Sequence, residues 1–89
     1  MAESPEVQAV ETEDEYIHVR FRDPEGFKTI RTPDWATNAA QDVSAGAEVR
    51  TGEETGGDDW KVQSVLIEKH VGERKAREQA QKIVEKIES

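Results

Sequence analysis

From Tyr16 to Arg22 the chain alternates strictly. Ile17, Val19 and Phe21 share one face, and Tyr16, His18, Arg20 and Arg22 share the other. That is the pattern of a half-buried antiparallel strand. Asp23-Pro24-Glu25-Gly26 follows, with Pro24 preset for the second position of a type I turn. A hairpin to FKTIRT, residues 27–32, is therefore predicted, and it would add Lys28 and Ile30 to the Tyr16/His18/Arg20/Arg22 face.

At Thr32 the period changes. Thr32 reads as an N-cap and Pro33 as the first helical residue. Ala36, Ala39, Ala40 and Val43 then recur at i, i+3, i+4 and i+7, and the helix should stop near Gly46. AEVRT, residues 47–51, predicts a third strand, and GEETGGDD, residues 52–59, a loop. DDWKVQSVLIEKH, residues 58–70, is the most apolar stretch and the fourth strand. Strict alternation puts Trp60, Val62 and Leu66 on one face and Val65 and Ile67 on the other. After Gly72, Ala76, Ala80, Ile83, Val84 and Ile87 mark the strongest helix.

The order β-β-α-β-β-α predicts a two-layer α+β domain: a four-stranded, mainly antiparallel sheet with both helices packed on one face. The face of Trp60, Val62 and Leu66 carries the larger apolar payload and is expected to meet the helices. Both tryptophans are expected in the core. Val65 and Ile67 would then lie on the open sheet face, where the chain has no third layer to cover them. A second copy of the chain docked there, forming a homodimer, is the expected solution.

Composition sharpens this picture. The chain has 89 residues, enough for one domain. It has no cysteine, so disulfides and thiolate metal sites are excluded. No apolar run approaches the ~20 residues that span a bilayer, and a soluble, cytoplasmic protein is expected. Twenty acids against twelve bases give a net charge of −8, which works against general affinity for nucleic acid or anionic membrane. The acid excess resembles that of cytoplasmic proteins from salt-loving archaea, a likeness of composition that identifies no family.

The charge is also segregated. Residues 1–15 hold six acids and no base, and residues 32–59 hold seven acids and one base. Residues 1–14 are expected to form a disordered acidic tail, leaving residues 15–89 as the folded domain.

Candidate chemistry is sparse. The loop from Glu53 to Asp59 lacks the lysine and Ser/Thr of a phosphate loop, and its four carboxylates suit a cation better. It reads first as a solvated turn. His18 and His70 have no ligand at short spacing, and no nucleophile motif occurs. No cofactor, metal or catalytic residue is assigned. The remaining cluster is Tyr16, His18, Arg20, Arg22 and Lys28, in which aromatic and basic groups interleave as in single-strand nucleic-acid binders. The primary expectation is a small non-enzymatic module that binds protein, through Val65 and Ile67 as a homodimer. The alternative is nucleic-acid binding by the Tyr16-to-Lys28 face. A small ligand-binding or enzymatic domain is the third.

Overall fold

A computed structural model of the chain describes residues 6–54 and 60–88. It is an α+β structure: a five-stranded antiparallel sheet with two helices on one face. In chain order the elements are β1 (Ala9–Glu13), β2 (Tyr16–Arg20), β3 (Phe27–Arg31), α1 (Asp34–Gln41), β4 (Glu48–Glu54), β5 (Trp60–Glu68) and α2 (Glu73–Glu88). The sheet order is β1-β2-β5-β4-β3. No helix among the described residues is long and apolar enough to cross a membrane.

The fifth strand is a correction. Residues 9–13, expected in a disordered tail, pair with β2 from Ala9↔Arg20 to Glu13↔Tyr16. The pairing is closed by a two-residue turn in which Asp14 takes a positive φ of 47°, a conformation that aspartate tolerates better than most residues. Val7 and Val10 pack against the core, so two isolated valines are enough to dock an otherwise polar strand. Residues 1–5 of the expected tail lie outside the described residues.

The β2–β3 hairpin is a second correction. The turn itself forms: Asp23 Oδ1 accepts the Glu25 N–H at 2.9 Å, and the Gly26 N–H donates to the Asp23 carbonyl at 3.0 Å. The flanking strands nevertheless do not pair. Among the described residues β5 is the only strand with six consecutive buried residues, 62–67, and it takes the central position with β2 and β4 as neighbours. As β2 ends, the N–H groups of Phe21 and Arg22 both donate to the Gln63 carbonyl of β5, at 2.9 and 3.2 Å. The chain then crosses to the far edge of the sheet and descends as β3.

The third correction concerns the faces of β5. Its register with β4 runs Val49↔Val65 and Arg50↔Ser64, then jumps to Thr51↔Val62. Gln63 is the extra residue of a β-bulge, and a bulge reverses the alternation beyond it. Trp60 and Val62 therefore face the same side as Val65 and Ile67, toward the helices. Val65 and Ile67 stand opposite Val19 and Ile17 of β2 and are fully buried in the core with Ala36, Ala40, Ala76, Ala80, Ile83 and Val84. They are no open dimer face. Only Leu66 points the other way.

The helices follow the expected spacing, except that Pro33 rather than Thr32 occupies the α1 cap, with no side-chain capping bond. α1 ends before Gly46, whose φ of +77° needs glycine. Gly52 of β4 is required for a different reason. A Cβ there would stand 2.1 Å from the Thr29 carbonyl oxygen and 2.8 Å from Phe27 Cδ2.

Because Val65 and Ile67 are core residues, Val65→Lys or Ile67→Lys should cost about 4 kcal/mol or more by burying an unpaired charge. Denaturant titration followed by circular dichroism is expected to show a largely unfolded chain. A folded, soluble variant would contradict the face assignment.

Candidate functional site: an exposed tryptophan corner beside the β3 edge

Three large hydrophobic side chains are exposed among the described residues: Ile30 at 38%, Trp35 at 54% and Trp60 at 41%. All three belong to one end of the molecule. Trp60 opens β5 and is level with Glu53 and, across it, with Thr29 of the edge strand β3. Trp35 lies in the first turn of α1, just past the end of β3. Its position falls beside the Ala36–Ala40 stripe that meets the sheet. Ile30 sits on β3 opposite Gly52, on the helix-free face.

The two tryptophans are the only ones in the chain, and they share two adjoining clefts. One, of about 240 Å³, is lined by Arg31, Pro33, Trp35 and Trp60. The other, of about 290 Å³, is lined by Trp35, Trp60, Lys61, Ile87 and Glu88. Trp60 projects toward the helix layer where α1 is starting and α2 is finishing, so neither helix covers it. The expectation that both indoles are core residues fails for this reason: the apolar stripe of α1 is built from alanines, and the helices stop short of the strand's first residue.

The floor of this corner is held by one ion pair. Arg22 donates to both carboxylate oxygens of Glu88, at 2.7 and 3.0 Å, and also to the Val62 carbonyl at 2.8 Å. Glu88 Oε2 accepts the Val62 N–H at 2.8 Å. That N–H lies beyond the last β2–β5 pair, Arg20↔Ser64, so the carboxylate stands where a strand partner would. Burial pushes the Glu88 carboxyl up. The Arg22 and Val62 hydrogen bonds and the positive charges of Arg22 and Lys61 outweigh it, and the group is held below the usual glutamate range. These contacts also offset the unfavourable placement of a carboxylate at the C-terminus of a helix.

The sequence-derived basic and aromatic cluster is dispersed. Tyr16, His18 and Arg20 remain side by side on β2, on the face away from the helices. His18 lies 3.5 Å from Glu13 and Arg20 lies 3.4 Å from Glu11, both on β1. Arg22 has turned to Glu88. Lys28 is three strand spacings away, roughly 14 Å, on the opposite edge and 3.8 Å from Glu53. His70 is exposed beside Glu68. Of the acidic loop expected to suit a cation, Glu53 is engaged with Lys28, and residues 55–59 lie outside the described residues. No group of three or more His, Cys, Asp or Glu side chains among the described residues is placed to hold a metal ion. The tryptophan corner was not legible as a site, because its parts are separated by 25 positions and each looked like core. No family model, no curated protein and no solved structure matches the chain.

Arg22→Ala or Glu88→Gln should each cost about 2 kcal/mol, the scale of hydrogen bonds to a charged group. Because folding lowers the Glu88 pKa, its contribution is present above the ordinary glutamate value. It is lost as the pH falls through the folded value. The stability gap between wild type and Glu88→Gln should therefore be full at neutral pH and shrink below about pH 4, as read by urea denaturation at each pH. A gap that grows on acidification would contradict the ion-pair assignment.

Proposed function

We propose that this chain is a non-enzymatic interaction module that binds protein through the corner formed by Trp35 and Trp60 and the adjoining β3 edge. The observation that carries the proposal is the gathering of all three exposed large hydrophobics of the described residues at one end. Scattered exposed apolar residues need no explanation, whereas an exposed aromatic cluster marks a binding surface. Tryptophan and arginine are also the residues that dominate protein interfaces, and Arg31 lines the same cleft.

The helix-free sheet face supports a docking role less well. Its His18 and Arg20 already meet Glu13 and Glu11, so the interleaved charges of an antiparallel solvent face are paired internally. The same pairing weakens the case for nucleic acid on that face, since phosphates would have to displace β1's own carboxylates.

A photoreactive benzoylphenylalanine in place of Trp35, in the full chain and inside cells, tests the proposal. It should give a protein adduct on irradiation, and Trp60→Ala in the same chain should remove most of it. The same group in place of Lys75, an exposed position on α2, should give little. Equal yields at both positions, or indifference to Trp60→Ala, would refute the docking role.

A further inference from the structure

We infer that the chain has a second docking site at the β1 edge, where an extended, basic segment of a partner protein adds as a further strand and packs its apolar side chains against α2. The inference goes beyond the tryptophan corner and does not depend on it. An open sheet has two edges, each a row of unpaired main-chain groups able to template another strand. Here they are β1 and β3, and they are not equivalent. The register of β3 with β4 shifts between Phe27 and Thr29, so Lys28 is a bulge residue, and a bulge bends a strand and interrupts its ladder. β1 keeps one register with β2 over all five of its residues.

The main chain of β1 is turned to receive a strand. Glu13 and Tyr16 close the two-residue turn, and the closing pair of such a hairpin exchanges hydrogen bonds. Alternation then points Ala9, Glu11 and Glu13 at β2, and the N–H and C=O of Val10 and Thr12 at the free edge. The next ladder agrees. The Lys69 N–H donates to the Glu15 carbonyl and the Phe21 N–H to the Gln63 carbonyl, both at 2.9 Å, so odd-numbered residues of this stretch serve β5 and even-numbered ones serve β1.

Beside that edge runs a groove. α2 starts next to β1, where the Thr12 hydroxyl donates to Glu73 Oε1 at 3.1 Å, and descends along it. A cleft of about 520 Å³ lies between Val10 and the α2 residues Arg74, Arg77 and Glu78. A second, of about 640 Å³, continues from Val7 along Arg77 and Glu78 to Lys82. Val7 and Val10 are half-buried and form the apolar floor. Residues directly opposite one another share a sheet face. The residues of an added strand opposite Val10 and Thr12 therefore enter the groove, and those opposite Glu11 and Glu13 stand on the helix-free face. Main-chain bonds then supply affinity and the alternate side chains specificity.

Charge states what that strand must carry. The groove wall is balanced, with Arg74 and Arg77 beside Glu73 and Glu78. The edge itself is not. Glu11 and Glu13 remain 45% and 54% exposed although Arg20 and His18 approach them, and the exposed Asp14 and Glu15 extend the acidic run. Lysine or arginine at alternate positions of the partner meets Glu11 and Glu13 directly, a favourable cross-strand pairing. The same carboxylates repel a second β1, so the charges that exclude self-pairing select a basic strand.

Fluorescence polarisation of the full chain with a short, capped peptide of alternating lysine and valine tests the inference. The peptide should bind at low salt and weaken as salt rises. Thr12→Ala keeps the outward N–H and should still bind. Thr12→Pro removes it and should bind about tenfold or more weakly. Proline is tolerated at an edge position whose N–H faces solvent, so circular dichroism should show both variants folded. A chain carrying Glu11→Lys and Glu13→Lys should lose the lysine peptide and take up the same peptide with glutamate in place of lysine. No binding of the lysine peptide at low salt would overturn the inference, as would equal binding by Thr12→Ala and Thr12→Pro, or indifference to the charge reversal. A wild-type solution mass of two chains that falls to one in Thr12→Pro would make the occupant a second copy and refute the basic partner.

Discussion

One extra residue in the central strand decides how this small protein closes its core. Gln63 is inserted between Val62 and Ser64 against a single step of β4, and the bulge lets Trp60, Val62, Val65 and Ile67 all face the helices. Without it, a strand of this sequence would divide its apolar side chains between two faces, and a chain of this length has helices for only one. The bulge residue is well held: its carbonyl accepts the Phe21 and Arg22 N–H groups, and its side-chain amide donates to the Arg22 carbonyl at 2.9 Å. The same contacts end β2, turn the chain toward the far edge and bring Arg22 under Glu88.

The tryptophan corner is a consequence of this arrangement. Bulge and alternation together aim Trp60 at the helix layer, but at a level where α2 is ending in its Glu88 clasp and α1 is beginning at Asp34. The alanine-rich stripe of α1 allows close approach to the sheet without needing Trp35, which is left on the flank. The indoles are therefore exposed by geometry on rigid elements, a setting in which an aromatic surface is pre-organised for docking at low entropic cost.

Much of the fold was legible in the sequence. The α2 stripe at Ala76, Ala80, Ile83 and Val84, the α1 alanines, the Asp23–Gly26 turn and the identity of the strands at 16–20 and 60–68 all follow from periodicity and turn chemistry. Pairing was not legible, because a turn fixes the local chain reversal and not the neighbour of the strand that leaves it. The strand at 9–13 was hidden by its charge, since only Val10 and the preceding Val7 announce an inner face. The faces of β5 were misread because a polar Gln63 within an alternating run is compatible with both a regular strand and a bulge. The site followed the same fate: its members become neighbours only once β5 lies at the centre and β3 at the edge.

The most direct measurement compares two single-residue deletions in β5. Removing Gln63 takes out the bulge and leaves Trp60, Val62, Val65 and Ile67 in regular alternation on one face. That chain should stay folded, at a cost of about 1–3 kcal/mol for the hydrogen bonds lost. Removing Leu66 cannot preserve the inward face of both Val65 and Ile67, and should unfold the chain or cost about 4 kcal/mol or more. Urea denaturation of the two deletions, read by circular dichroism, separates the cases. If deletion of Gln63 proves as destructive as deletion of Leu66, the bulge is not what places the apolar residues of β5 on one face.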